Sequence, residues 1–445
     1  MNQIENALSR TTDTKALEIG SGAVKKTPLI FNRLFPGAKA LVIADTNTWK
    51  AAGNLVQSLL ESGGITVESP FIISDPNLYA EWSYMEAVEN ALKVSDAVPV
   101  AVGSGVINDL TKLASFRLGR RYVCVGTAAS MDGYTAYGAS ITFKGNKRTF
   151  DCPAPLGFVM DSSIAAAAPY KMSASGYADL IAKIPAGADW IIAECAGIEK
   201  INSFAFDVVQ KGLKNALSDP AAIRAGDEAE VEKLAEGLLL SGFAMQACQN
   251  SRPASGIEHQ FSHLWDMEHL TFSGKSVSHG FKVGIGTLVS TAFLELLLEE
   301  DIPAVNEDSC AEKWKSFEDT QKDIVDAFNG DAEFVERCTA ETRNKYTDAE
   351  GLRKQIALLK SNWPHLKERI SEQIIPFGSV KKRLELVGAP TEPEQIGISR
   401  KRLLKSCKVI PYMRSRFSSV DVAVRIGIFD KWLDKLFGKG GIWEI

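Results

Sequence analysis

Residues 97–109 read AVPVAVGSGVIND, and this stretch decides the fold. Residues 97–102 are an apolar run of strand length, and Gly103-Ser104-Gly105 breaks it before a helical pattern begins. A strand, a Gly-x-Gly turn and a helix in succession leave bare backbone N–H groups at a helix N-terminus. That arrangement is an anion site suited to a pyrophosphate. Glycine also serves tight turns on steric grounds alone. The turn by itself therefore leaves both readings open.

Working outward, similar apolar runs occupy residues 40–44 (ALVIA), 65–73, 122–125 (YVCV) and 157–160 (GFVM), the last ending at Asp161. Helical patterns at 48–61 and 79–94 lie between them. Strands alternating with helices predict a parallel sheet covered on both faces. Residues 132–149, rich in Gly, Tyr and Thr, read as an inserted turn or hairpin. After Asp161 the pattern changes. A helix opens at 162–168 with Asp161 or Ser162 as N-cap. Long 3.6-period stretches follow at 176–195, 203–217, 228–248, 279–299, 311–328, 348–369, 371–386 and 400–413. The expected domains are residues 1–162, a nucleotide-binding α/β unit, and 163–445, an all-helical unit.

Composition narrows the class. The chain has 445 residues, 45% hydrophobic and 24% charged, with a net charge of −5. That excludes a basic nucleic-acid footprint. Seven scattered cysteines without a CxxC pair predict reduced thiols and a cytoplasmic location. No secretory pattern opens the chain, and no membrane span is expected. The basic cluster of the tail (Arg400, Lys401, Arg402, Lys405, Lys408, Arg414, Arg416) reads as a solvated helix face.

Chemistry concentrates at five places. Besides the 103–107 turn, Asp45 ends a strand and opens a helix, where it can accept from a ribose or serve as a plain N-cap. Asp45 precedes the glycines, the reverse of the common dinucleotide fingerprint. The loop 126–135, GTAASMDGYT, follows a strand, where open α/β sheets bind ligands, and Asp132 there can bind hydroxyls or form an Asp-Gly turn. Asp179 lies in an apolar helical stretch, GYADLIAKI, and needs a partner there. Finally, four of five histidines, His259, His263, His269 and His279, crowd residues 256–286, GIEHQFSHLWDMEHLTFSGKSVSHGFKVGIG. His259 and His263 share a helix face. With Asp179, the cluster predicts a metal site, because two histidines and a carboxylate leave a coordination position open to substrate.

Together the Gly-Ser-Gly-x-Ile-Asn-Asp-Leu turn, Thr-Ala-x-Ser-x-Asp-Gly and Ser-Gly-x-x-Asp-Leu resemble the iron-containing alcohol dehydrogenase/dehydroquinate synthase superfamily. The segment 251–259, SRPASGIEH, with His263 and His279-Gly280, resembles the glycerol-1-phosphate dehydrogenases, in particular the bacterial AraM-type branch. The resemblance implies a multidomain α and β fold: an N-terminal Rossmann-like α/β domain and a C-terminal all-helical, dehydroquinate synthase-like domain. The active site would lie between them. It implies NAD or NADP contacts at Asp45, Gly103, Ser104, Gly105, Val106, Ile107, Thr127 and Ser130. Asp132 and His263 become the catalytic and substrate-binding residues, with Asp179 also near substrate. Asp179, His259 and His279 become ligands of one divalent metal, zinc first, with nickel or iron as alternatives.

The expected activity is an oxidoreductase that interconverts dihydroxyacetone phosphate and sn-glycerol 1-phosphate, working as a homodimer or higher homo-oligomer. A polyol dehydrogenase and, further off, a dehydroquinate-synthase-like cyclase are the alternatives. Asp179 argues against the cyclase, whose relatives present glutamate there. Two positions depart from the family pattern: Ala136 stands where Ser is common, and Phe281 interrupts His-Gly-Glu-Lys. For the substrate phosphate the cationic candidates are Arg252, Lys144, Arg148 and Lys282.

Overall fold

The computed structural model describes residues 3–445. Five strands come first: β1 (Ala16–Gly20), β2 (Ala40–Asp45), β3 (Phe71–Ile73), β4 (Val98–Gly103) and β5 (Val123–Gly126). The antiparallel hairpin β6 (Ala139–Phe143) and β7 (Asn146–Phe150) is inserted before β8 (Gly157–Asp161). The sheet is parallel throughout, in the order β1-β8-β5-β4-β2-β3. Gly103 pairs with Gly126, so the turns leaving β4 and β5 start side by side at one edge of the sheet.

Alternation along the strands sends side chains to two cores. Val100, Val102, Val123, Val125 and Val159 pack with Ile30, Phe31, Val56 and Leu60 on one face. Ala101, Cys124, Phe158 and Met160 pack on the other, in a core continuous with Tyr177, Leu238 and Phe243 of the helical part. Both faces are thus dry, which is why these strands read as unbroken apolar runs.

Six helices position the site: α1 (Gly105–Arg117), α2 (Tyr170–Ile181), α3 (Lys183–Cys195), α4 (Glu228–Cys248), α5 (Ile257–Met267) and α6 (His279–Glu299). Asp161 caps the first helix after the sheet by accepting from Ser163 N. The expected single helix at 176–195 is two helices meeting at Ala182. Pro185 has no N–H to give Ile181, and its ring crowds that carbonyl, so the helix resets. The expectation of helices alone after Asp161 also needs correcting, because β9 (Thr271–Phe272) and β10 (Lys275–Ser276) form a hairpin between α5 and α6. Two-residue strands are too short to leave a periodic signal.

Helix α6 bears on the expectation that no segment spans a membrane. It is long and apolar enough to cross a membrane, with a mean hydropathy of 1.6, but 83% of that stretch is buried within the protein. It is a core helix. Its glycines let it touch two neighbours at once. A Cβ on Gly280 would stand 1.9 Å from Ser175 O of α2, and one on Gly286 2.4 Å from Glu258 O of α5. Gly176 of α2 does the same for the loop after β5, where a Cβ would meet Ala129 O at 2.1 Å. These contacts bring α2, α5, α6 and the 126–135 loop together at one point.

Candidate active site

Asp179 (α2), His259 (α5) and His279 (α6) meet at that point, with donor atoms all within 4.8 Å of one another. Asp179 is fully buried, His259 is 7% exposed and His279 is half-buried. The His259 and His279 rings stand 5.3 Å apart between centroids. His259 Nε2 lies 3.4 Å from Asp179 Oδ1. Two donors at zinc-ligand distances in a tetrahedron stand about 3.3 Å apart, so this separation fits one shared cation.

The backs of both rings are held. Glu258 Oε1 faces His259 Nδ1 at 2.9 Å and also accepts from Gly256 N at 2.5 Å. Ser262 Oγ faces His279 Nδ1 at 3.1 Å. Both Nδ1 atoms are engaged, which directs each Nε2 to the centre, the arrangement that orients imidazole ligands. Glu258 and Ser262 lie on α5 beside the histidine face, and only their adjacency to His259 hinted at this role.

The electrostatics suit the same use. Burial raises the Asp179 carboxyl, but Lys183, His259 and His279 outweigh it and hold Asp179 well below the usual carboxylate range. Burial pushes His279 down to about 3, so it is neutral. Burial and Lys183 oppose a proton on His259, yet its hydrogen bonds to Asp179 and Glu258 prevail and raise it. A divalent cation held at Nε2 would take the place of that proton.

Lys183 was not singled out in the sequence and is central here. Its fully buried Nζ sits 2.7 Å from Asp179 Oδ1 and 2.8 Å from Asp132 Oδ2. Asp179 Oδ2 in turn accepts from Asp132 N at 3.0 Å, and Ser241 Oγ donates to Asp132 Oδ2 at 2.9 Å. Asp132 is therefore locked beside Asp179 rather than forming a solvent-exposed Asp-Gly turn, and its Oδ1 accepts nothing among the described residues. His263 lies one turn after His259 on α5. Burial and the nearby Arg414 guanidinium hold His263 well below its usual range, so it is neutral.

The nucleotide candidates lie at the sheet edge, where β2, β4 and β5 end. Asp45 caps its helix, its Oδ1 accepting from Asn47 N at 2.7 Å and Thr48 N at 3.0 Å, while Asp45 N donates to Thr48 Oγ1 at 3.0 Å. Gly103 packs under Ile107, where a Cβ would meet Ile107 Cβ at 2.6 Å, and Gly105 lies against Met131. Ser104 is the N-cap of α1 without a side-chain cap bond, so the first N–H groups of α1, from Gly105 and Val106 on, are left for an anion. Thr127 N donates to Gly103 O at 3.1 Å, and Ser130 Oγ lies 3.3 Å from Tyr134 OH. Lys112 of α1 donates to the carbonyls of Gly133, Ala136 and Gly138, each at 3.0 Å, and so ties the loop carrying Asp132 to the helix carrying the turn.

The 251–256 segment plays a structural part. Arg252 donates to Asp189 O and Phe417 O and pairs with Glu199 at 3.0 Å. Arg416 donates to Ser255 O at 2.8 Å and Ser251 Oγ at 2.6 Å. The tail thus buttresses the loop that leads into Glu258 and His259. Arg416 is half-buried there, unlike the solvated face expected of the tail basic cluster, whose Arg400 and Arg402 do pair with surface glutamates.

Similar proteins agree with this architecture. Residues 18–169 match the family model described as iron-containing alcohol dehydrogenase. The chain is 34% identical over 276 residues to a glycerol-1-phosphate dehydrogenase (NAD(P)+) of Halalkalibacterium halodurans, covering 60% of this chain and 69% of that one. It is 31% identical to the Bacillus subtilis protein of the same name (67% and 76% covered) and 34% identical to that of Pyrococcus furiosus (61% and 76%). In fold it is similar to a glycerol dehydrogenase structure from Schizosaccharomyces pombe, with TM-score 0.59 and 17% identity over 96% of this chain and 91% of that one. By this likeness to bacterial and archaeal relatives alike, the chain belongs to the glycerol-1-phosphate dehydrogenase family of NAD(P)-linked oxidoreductases.

Proposed function

We propose that this protein interconverts dihydroxyacetone phosphate and sn-glycerol 1-phosphate, using NAD or NADP and one divalent metal. The observation that carries the reading is the convergence of Asp179, His259 and His279, with both rings held from behind by Glu258 and Ser262. Those three residues would hold the metal. Zinc suits a site of two imidazoles and one carboxylate, with nickel or iron as alternatives. When bound, the metal and the nicotinamide supply polarisation of the C2 oxygen and hydride exchange at C2.

The chain's own residues bind and orient the substrate. Asp132 Oδ1 accepts from a substrate hydroxyl, while Lys183 and Ser241 hold the carboxylate in place through Oδ2. His263, held neutral, hydrogen-bonds the substrate oxygen and passes its proton to or from solvent. Gly103, Ser104, Gly105, Val106 and Ile107 would carry the dinucleotide phosphates, with Thr127 and Ser130 beside them and Asp45 at the ribose. The Asp45 charge favours NAD by repelling a 2′-phosphate. Residues 1–162 thereby form the nucleotide domain and 163–445 the metal and substrate domain. All seven cysteines are free thiols, which supports a cytoplasmic enzyme. Its family resemblance supports a homo-oligomer.

The test is NADH oxidation with dihydroxyacetone phosphate, before and after EDTA, then with zinc or nickel restored. Loss and recovery of turnover is the expected result. Full activity without metal would overturn the metal assignment. Turnover of dihydroxyacetone alone, with none of its phosphate, would favour the polyol dehydrogenase reading.

A further inference from the structure

Four cations were candidates for a substrate phosphate, and the structure separates them. Arg252, only 3% exposed, donates through Nη2 to carbonyls behind the site and has its own ionic partner in Glu199. Arg148 pairs with Glu333 on the surface at 2.8 Å. Lys144 is exposed over the Phe143 ring. Lys282, only 3% exposed, points its Nζ at Asp266 Oδ1, and a fifth cation, Lys147 of β7, reaches Asp266 Oδ2 at 3.2 Å. One carboxylate thus serves two ammonium groups. Among the described residues neither lysine has another ion pair, so one positive charge is left in excess, shared between buried Lys282 and partly exposed Lys147.

Its place relative to the reacting centre follows from helix geometry. Asp266 lies three residues after His263 and seven after His259 on α5, and Lys282 three after His279 on α6. Residues three or four apart share a face. Lys282 therefore lies one turn, about 5 Å, beyond the proposed ligand His279, and Asp266 lies one turn beyond His263 and two turns beyond His259. In a triose phosphate three covalent bonds separate the carbonyl carbon from phosphorus, a comparable span. Hairpin β6–β7 closes over this end of α5, bringing Lys147 to Asp266.

We propose that Lys147 and Lys282, tethered by the shared carboxylate of Asp266, form the subsite for the phosphate monoester dianion of the substrate. The proposal rests on the reading of Asp179, His259 and His279 as the reacting centre. It explains why a hairpin is inserted before β8: the hairpin delivers the second cation. The dianion offsets the excess charge, and Asp266 keeps both ammonium groups in place when no substrate is bound.

The probe is inorganic phosphate, titrated calorimetrically into the full-length wild-type protein, Lys282→Met and Lys147→Met, with Lys401→Met as the exposed-lysine control. Removing one charge-assisted contact is expected to weaken phosphate binding about tenfold or more in either site variant. The control should keep the wild-type value. The KM for dihydroxyacetone phosphate should rise in parallel, while the NADH dissociation constant holds. Unchanged phosphate binding in both site variants overturns the proposal. So does an equal loss of NADH affinity, which would assign the lysines to the dinucleotide. Should Lys282→Met not fold, the partly exposed Lys147→Met decides alone. If phosphate binds and is lost in the variants but dihydroxyacetone phosphate is never reduced, the subsite stands and the proposed activity falls. If both variants reduce it with wild-type KM, the activity stands and the subsite falls.

Discussion

Replacing Lys183 with Met removes one charge and keeps an unbranched side chain of similar length. The ammonium lies 2.7 Å from Asp179 and 2.8 Å from Asp132, and the three side chains are 0%, 0% and 10% exposed. Without it, two adjacent buried carboxylates share no cation. Removing one partner of a buried ion pair costs about 3–5 kcal/mol. For a chain of this size each kcal/mol moves Tm by about 2 °C, so the metal-free variant should melt roughly 5–10 °C lower. A divalent cation at Asp179 would return part of the missing charge. Zinc should therefore raise the variant's Tm by more than it raises that of the wild type. Scanning calorimetry on EDTA-treated protein, with and without zinc, measures both increments. Equal Tm values for the two metal-free proteins would refute the charge-balance argument. Equal increments on adding zinc would refute the claim that Lys183 and the metal act on the same carboxylate.

Glu258→Gln should weaken metal affinity about 10–100-fold, because His259 Nδ1 loses its carboxylate partner; competition against a chromogenic chelator measures it. Gly280→Ala puts a Cβ 1.9 Å from Ser175 O, so α6 must move off α2. A destabilisation of about 1–3 kcal/mol or more is expected in urea unfolding, together with loss of bound metal as His279 shifts. Burial lowers Lys282 to about 8 from its ordinary 10.5, with Lys147 adding repulsion and Asp266 opposing both. The folded chain therefore releases this proton before the unfolded chain does. The charge on Lys282 costs stability fully below pH 8, and that cost is relieved as pH rises from about 8 towards 10.5. Phosphate binding should run the other way and weaken above about pH 8, which a pH series of the phosphate titration would detect.

Local pattern was enough wherever one short segment defines its own environment. Residues 97–109 specify a strand, a turn and a helix because apolar runs buried on both faces, glycines and the following periodicity act within a few residues of each other. The same holds for the Asp161 cap and for helices 228–248 and 279–299, whose bounds the periodicity located to the residue. The histidine face of α5 follows from spacing alone. The need of Asp179 for a partner in an apolar helix joined it to the histidine cluster, and family resemblance then singled out His259 and His279 as its fellow ligands.

Tertiary structure decided what depends on close approach between distant segments. Lys183 looks like any helical lysine in the sequence. It becomes the counterion of Asp179 and Asp132 only because Gly176 lets the loop after β5 lie against α2. Lys147 and Lys282 are far apart in the chain and meet only at Asp266. Arg252, a sequence candidate for the phosphate, is instead paired with Glu199 and donates through Nη2 to the carbonyls of Asp189 and Phe417. Charge pairing falls steeply with distance and with solvent exposure. The sequence by itself therefore determined the elements and the ligand types. Which charges are buried together, and so which bind, was decided by the packing of helices on glycine.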